Sequence, residues 1–434
     1  MSVTSLLKKA MEKHEKKDYA EAGKLYRQIL SAHPRHLDAH YLLGTMYGER
    51  GDYASAREHL VKASRIDPSS AMVQVNLGNV FRKLGSLDLA VNCFTRAIQL
   101  APKMFQAHLG LGSALLELDE EFENVADCFE KAFELAPKVP EIYHQMGMLY
   151  AKKSMFTEAL QLLEATRKMD PKFPDIDLDL GLTSLRAGAK DKAAGYFLDA
   201  IRTDPENTKA AFFLAVAEGR TPDDQLAKQY AQVVFDDYAA TFEKHLVEKL
   251  QYGLPQRVVE TLKRVCGEDC RFESAVDLGC GTGLTGAALR SATARLTGID
   301  ISEKMLEVAK GKRCFDELLC GDLAAVLTSL QSRFDLFVAT DVMVCIGKFD
   351  ALLPVVVSKA LPGALFLFST EKLDGEGVTL QTSGRYAHSP SHVREVMKAH
   401  GCEVINEEEI DLRMEGGSWL KGNVFVVRVA PPAS

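Results

Sequence analysis

Asp277 stands two residues before Gly279, the first glycine of the run AVDLGCGTGLTGAALR at residues 275–290. The run holds Gly279, Gly281, Gly283 and Gly286, and the last three spell G-x-G-x-x-G. Glycines at this spacing let a backbone turn tightly and come close to a ligand. The carboxylate decides which ligand suits the loop. A pyrophosphate would meet a like charge in a cleft of reduced dielectric, whereas a cationic ligand would gain. The literal fingerprint also starts late, since Gly281 comes two residues after the tight turn begins.

Three more acids follow at comparable places. Asp300 closes RLTGID, Asp322 follows LLCG, and Asp341 closes FDLFVATD. A carboxylate at Asp300 can accept both hydroxyls of a ribose, a role that does not by itself separate a dinucleotide from other adenosyl ligands. Asp322, with the Leu323 backbone N–H beside it, can hold the edge of an adenine. Later, DGEGVTLQTSGRYAHSPSHV (374–393) supplies a candidate general base in His388, with Tyr386 beside it and Arg385 able to pair with an anionic substrate. Ser389 and Pro390 read as an N-cap and a first helical residue, which would fix His388 and Tyr386 at a helix entrance.

These residues need a scaffold that brings strand ends together. From about residue 273, short apolar strands alternate with amphipathic helices. Strands are expected at SAVDL, RLTGI, CFDELLC, FDLFVAT and ALFLFS, with helices at 283–291, 303–311, 323–331 and 349–359. This is the pattern of a doubly wound parallel sheet, which binds ligands at the carboxyl ends of its strands. CEVINEEEIDLR and NVFVVRVA close it with an antiparallel hairpin.

The first half repeats itself. Prolines fall at 34, 68, 102, 137, 171 and 205. Glycines at 44, 78, 112, 147 and 181 and alanines at 56, 90, 159 and 193 keep the same frame, followed by Leu60, Phe94, Phe129, Leu163 and Phe197. The small residues let paired helices approach, the larger ones fill the space between pairs, and each proline ends a second helix. The fourth unit is one residue longer, and the extra residue is expected in the turn within LDEEFEN. This pattern resembles the tetratricopeptide repeat (TPR), which implies an inner groove for a protein or peptide. Asn76 and Asn79 lie three apart on an inner helix, placed to meet a peptide backbone. His36 and His40 lack an evident carboxylate partner and read as a solvated helix start rather than a metal site.

Between the halves, LAKQYAQVVFDDYAATFEKHLVEKLQYGLPQRVVETL reads as two or three helices too apolar for a flexible linker. Phe235, Tyr238 and Phe242 give it an aromatic edge, and Tyr238 is a candidate lid and substrate contact. The net charge of −8 argues against a nucleic-acid partner. The nine cysteines show no C-x-x-C pair and suit a reducing compartment. The N-terminal residues lack the apolar core of a signal peptide, and the longer apolar stretches are broken by Pro, Ser and Lys. A cytoplasmic protein without a membrane segment is expected.

The glycine loop and the four acids resemble class I S-adenosylmethionine-dependent methyltransferases. The resemblance covers roughly residues 273–430. It implies that Asp277, Gly279, Gly281 and Gly283 hold the amino-acid end of S-adenosylmethionine, Asp300 the ribose, Asp322 and Leu323 the adenine, and that Asp341 lines the sulfonium side. FDDYAATFEKHLVEKLQYGLPQ and SGRYAHSPSHV also look like methyltransferases that carry N-terminal TPR repeats. No Asn/Asp-Pro-Pro-aromatic motif follows the fourth strand, where ATDVMVCIG stands, so methylation of base or amide nitrogens is disfavoured. The expected architecture has two domains. An all-α TPR solenoid at 3–218 is followed by a helical junction at 219–272 and an α/β doubly wound, Rossmann-like methyltransferase domain at 273–434. The alternative is a non-enzymatic TPR scaffold whose second domain senses S-adenosylmethionine or is inactive.

Overall fold

A computed structural model describes residues 2–239, 242–243, 246, 250–415 and 418–430. The chain divides into two compact units, Met1–Thr183 and Ser184–Ser434. The first unit holds α1 (Val3–Glu15), α2 (Tyr19–Ala32), α3 (Leu37–Glu49), α4 (Tyr53–Ile66), α5 (Ala71–Lys83), α6 (Leu87–Leu100), α7 (Phe105–Leu118), α8 (Phe122–Leu135), α9 (Pro140–Lys152) and α10 (Phe156–Met169). The boundary between units falls inside α11 (Ile176–Arg186), before the solenoid end expected at 218.

The repeat frame is a packing frame. A Cβ added at Gly44 would stand 2.8 Å from Leu60 Cγ, one at Gly78 2.9 Å from Phe94, one at Gly112 2.6 Å from Phe129, and one at Gly147 2.9 Å from Leu163. Leu60, Phe94, Phe129 and Leu163 are fully buried, as are Ala56, Ala90 and Ala159. Each glycine of a first helix thus admits the large residue of its own second helix. The extra residue of the fourth unit sits in the turn, as expected. The residue of left-handed φ stands seven after the frame glycine in each unit, at Gly51, Gly85, Asp119 and Ser154. One residue separates it from the second helix in the other units and two, Glu120 and Glu121, in the fourth.

The second unit begins with α12 (Lys190–Thr203) and α13 (Thr208–Ala217), then α14 (Asp224–Tyr238) and α15 (Leu254–Cys266). The middle of the expected junction falls partly on residues outside those described. Phe212 of α13 stacks on Tyr230 of α14 at 3.9 Å, and Phe213 lies 6.1 Å from Phe197 of α12, so these helices share one aromatic seam.

The sheet comprises β1 (Phe272–Leu278), β2 (Thr293–Asp300), β3 (Glu317–Cys320), β4 (Phe334–Ala339), β5 (Ala360–Lys372), β6 (Val378–Leu380), β7 (Tyr386–His388), β8 (Glu403–Glu415) and β9 (Ser418–Arg428). Strands β3-β2-β1-β4-β5 run parallel in that order, and the antiparallel β8–β9 hairpin extends the sheet from β5. The β6–β7 hairpin attaches at the end of β5, where Glu371 and Lys372 pair with Ala387 and His388. Helices α16 (Leu284–Leu289), α17 (Glu303–Lys312), α18 (Leu323–Ser329), α19 (Leu353–Lys359) and α20 (Pro390–Ala399) complete the unit.

Alternation along the strands feeds two cores. Val276, Phe337 and Ala339 join one, while Ala275, Leu336 and Val338 join the other. From β1 the chain moves out to β3, then returns to the opposite side of β1 at β4. The strand order reverses there, and such a reversal opens a crevice at the carboxyl ends of the strands.

Candidate functional site

Gly279 N–H donates to Ile299 O at 2.7 Å, which ties the turn to β2. Its φ is 71, and an added Cβ would stand 2.4 Å from Val342, so no other residue fits there. Asp300, at the end of β2, accepts from the Gly281 amide at 2.8 Å and the Ser302 amide at 2.9 Å. Burial raises the Asp300 pKa and these amides oppose the rise. Both interactions hold the carboxylate in one orientation with lone pairs to spare.

Asp322 opens α18 as its N-cap and accepts from Ala325 N–H at 3.0 Å. Its other oxygen lies 2.9 Å from Lys228 Nζ of α14. Asp341 follows β4 with φ 56, a left-handed conformation uncommon for a side-chain-bearing residue. Its N–H donates to Ser369 Oγ at 2.9 Å. Burial raises its pKa and Arg413 opposes the rise.

Asp300, Asp322, Leu323 and Asp341 line one cavity of about 550 Å³ together with Gly279, Cys280, Gly281 and Thr282. Its walls include Asp224, Lys228 and Phe235 of α14, Phe242, Tyr252, and Val378, Leu380 and Tyr386 of the β6–β7 hairpin. Ser302 Oγ donates to Asp236 at 2.6 Å, and Lys312 pairs with Glu243 at 2.8 Å, which fastens the helical segment over the strand ends. Asp277 lies beneath the loop, fully buried, and no donor reaches either of its oxygens in ordinary hydrogen-bond geometry, although the Gly286 amide lies near. Burial, with the Asp300 charge second, pushes its pKa up to about 7, and the Gly286 amide opposes. Gly283, at φ 87, supports the loop from behind rather than lining the cavity.

Besides Asp277 and Gly283, three expected site residues do not reach the cavity. His388 is fully buried, bonded through Nε2 to Gly347 O at 3.3 Å and packed edge-on against Phe349. Burial depresses its pKa to about 4. As a base for an acceptor in this cavity it is misplaced, although Ser389 and Pro390 do cap and start α20. Arg385 is engaged by Glu371 at 3.3 Å and Glu415 at 3.1 Å instead of facing the cavity. Tyr238 meets Phe242 edge to face at 5.3 Å, and Phe242 and Phe235 take the wall position. Cys280 is buried and burial pushes its thiol up, which suits a packed residue and not a reactive thiolate.

Lys228, Tyr252 and the Arg413–Glu371 pair were not singled out from sequence. Tyr252 sits in LQYGLP, at the end of the junction phrase FDDYAATFEKHLVEKLQYGLPQ, where nothing marks it apart from its neighbours, and burial raises its phenol well above the usual value.

In the first unit, Asn76 donates to Tyr41 Oη and Thr45 Oγ1, both at 3.1 Å, so its amide braces neighbouring inner helices. His36 caps α3, while His40 meets His59 at 3.0 Å. A groove cavity of about 640 Å³ is lined by Tyr19, Tyr26, Tyr41 and Glu49 among others.

Residues 275–357 match the family described as a methyltransferase domain. Residues 13–77, 78–119 and 144–208 match families of tetratricopeptide repeats. The chain carries tetratricopeptide repeats followed by a methyltransferase domain. Human Superkiller complex protein 3 is 27% identical over 214 residues, 47% of this chain and 13% of that protein. The chain thus spans a small part of the first curated relatives it matches. A Coxiella burnetii ubiquinone biosynthesis O-methyltransferase is 30% identical over 99 residues, 22% of this chain and 42% of that one. The crystal structure of magnesium protoporphyrin IX methyltransferase from Synechocystis PCC 6803 with bound SAH is 17% identical, with a TM-score of 0.37 over 47% of this chain and 100% of that chain. Among the described residues, no helix of either unit is long and apolar enough to cross a membrane.

Proposed function

We propose that the methyltransferase domain transfers a methyl group from S-adenosylmethionine to a protein or small-molecule acceptor, and that the repeats hold a protein or peptide. The observation that carries this is the convergence of Asp300, Asp322 and Asp341, from three successive strand ends, with the glycine loop on one cavity. The cavity also bears Asp224 and Asp350 against Lys228 and Lys348, an acidic balance that suits a cation better than a pyrophosphate. The unpartnered Oδ1 of Asp341 on the cavity wall fits the same ligand, because a buried acceptor calls for a donor or a positive charge.

In this reading Gly279–Thr282 and Asp277 serve the amino-acid end, Asp300 the ribose, and Asp322 with the Leu323 amide the adenine. Asp341 lies on the sulfonium side. When bound, S-adenosylmethionine supplies an activated methyl group to a nucleophile arriving in line. The protein's share is placement and exclusion of water, which can supply much of a rate enhancement. Phe235 and Phe242 cover the site, and Tyr386, with Val378 and Leu380, forms the wall left for the acceptor. The tyrosine-lined groove of the first unit is the place for the protein or peptide, and a cytoplasmic location belongs to the same reading.

Calorimetric titration with S-adenosylmethionine, alongside NAD and an Asp300→Ala variant, tests the cofactor. Micromolar binding of the first ligand alone, lost in the variant, supports the reading. Absence of binding to the intact protein sinks it and moves the function to the repeats.

A further inference from the structure

Arg413 lies on β8 and is only 4% exposed. The β8–β9 register shifts between Asp411 and Arg413, leaving Leu412 as an extra residue, and both Leu412 and Arg413 are buried. A bulge of this kind re-aims the side chain beside it. Arg413 Nη2 lies 2.5 Å from Glu371 Oε1 and 3.5 Å from Glu415, while Nη1 lies 3.6 Å from Asp341 Oδ2. Arg385 joins the same two glutamates from outside. Two guanidiniums therefore serve three carboxylates.

Burying such a group is costly, and packed apolar residues would stabilise the sheet as well. Its layout is instead suited to the cavity. Glu371 is the carboxylate nearest to Arg413, is 2% exposed, and is pushed up to about 7 by burial. Asp341 is the member on the cavity wall, and its Oδ1 has no partner. Left alone in that setting, Asp341 would tend to neutralise.

We propose that Arg413 is a positioning residue that favours the ionised form of Asp341 and orients it toward the cavity, and that Asp341 thereby distinguishes the charged sulfonium of S-adenosylmethionine from the neutral thioether of S-adenosylhomocysteine. The two ligands have nearly the same shape around sulfur and differ there by one methyl group and one charge. A fixed anion on the wall is the simplest device that separates them, and it favours loading over retention of the demethylated product. The inference rests on the cofactor reading above.

The test is calorimetric titration of the intact protein with each ligand separately, in the wild type and in Asp341→Asn, Arg413→Met and Arg413→Lys. Asparagine tolerates the left-handed backbone of Asp341, so that variant removes charge without forcing the loop. The ratio of the two affinities is expected to fall about tenfold toward S-adenosylhomocysteine in Asp341→Asn, about 1.4 kcal/mol. Arg413→Met is expected to reproduce that fall and Arg413→Lys to restore most of the wild-type ratio. A general loss of structure would weaken both ligands alike and leave the ratio in place. A ratio within twofold of wild type in folded Asp341→Asn overturns the proposal. If Arg413→Met does not fold, Asp341→Asn and Arg413→Lys still decide it. Binding of neither ligand by the wild type removes the cofactor reading and this inference with it, whereas binding of both with an unaltered ratio removes this inference alone.

Discussion

Lys228 of α14 and Asp322 of α18 meet at 2.9 Å on the wall of the cavity. Asp322 already caps α18 through its other oxygen, so one carboxylate serves a helix end, an ion pair and, in the proposed function, an adenine. These duties separate by substitution. Asp322→Asn keeps the cap, because asparagine is as good an N-cap as aspartate. It is expected to leave the melting temperature nearly unchanged and to weaken S-adenosylmethionine several-fold. Asp322→Ala loses the cap as well and is expected to cost about 1 kcal/mol of stability. Lys228→Ala removes a pair whose lysine is half exposed, and should change stability by less than about 1 kcal/mol. Thermal melts and calorimetry on the three variants check this. Equal stability loss in Asp322→Asn and Asp322→Ala would contradict the assignment.

Two glycines of different surroundings test the packing frame. Gly112→Ala puts a methyl group 2.6 Å from Phe129, which is fully buried, and is expected to destabilise the first unit by about 1–3 kcal/mol through overpacking. Gly195 of α12 has nothing within 4 Å of an added Cβ. Gly195→Ala is expected to stabilise its helix by up to about 1 kcal/mol, since alanine is the better helix former. Denaturant titrations of the full chain read both. Effects of the same sign would sink the packing account.

The repeats were legible because each position of the 34-residue frame answers to one contact. Gly78 and Phe94 meet in space for the same reason that they recur in sequence. Asp300, Asp322 and Asp341 were legible because a doubly wound sheet brings its strand ends together whatever the loops do. Side chains whose direction depends on irregular backbone were not. Tyr386 and His388 share a three-residue strand, yet Tyr386 reaches the cavity while His388 passes behind Gly347 and Phe349. Arg413 is turned inward beside a bulge that no motif announces. The extra residue of the fourth repeat was legible too, because Asp119 keeps the left-handed position of the frame and the turn after it absorbs one residue more before α8.

His388 makes stability depend on pH. Its folded pKa, about 4, lies below the ordinary histidine value of 6.5. Between these values the unfolded chain binds the proton and the folded chain does not, so stability rises with pH across that window. This contribution is therefore complete above about 6.5, falls as pH drops toward 4, and then levels off, with a total of about 3 kcal/mol as an upper bound. His388→Gln is expected to remove this rise, so that the slope of stability between about pH 4 and 6.5 turns downward relative to the wild type, and to leave S-adenosylmethionine affinity within about twofold, because the side chain does not line the cavity. A profile as steep in the variant as in the wild type would assign the dependence to other groups.

Asp277 works in the opposite direction. Its folded pKa is about 7, well above the usual 3.8. The folded chain holds a proton there that the unfolded chain has released, so stability without ligand declines as pH rises from about 4 to 7. A cationic ligand reverses the preference, since it gains from the ionised form. Asp277→Asn is therefore expected to raise the melting temperature of the ligand-free protein at pH 7.5 and to diminish the further rise that S-adenosylmethionine produces. The wild type should bind that ligand more tightly at pH 8 than at pH 6, and the variant should lose that difference. Melting curves and titrations at the two pH values decide the matter. A variant that melts below the wild type without ligand would show that Asp277 serves the fold, and the stability set aside for a cation at the glycine loop would have to be sought in Asp300 instead.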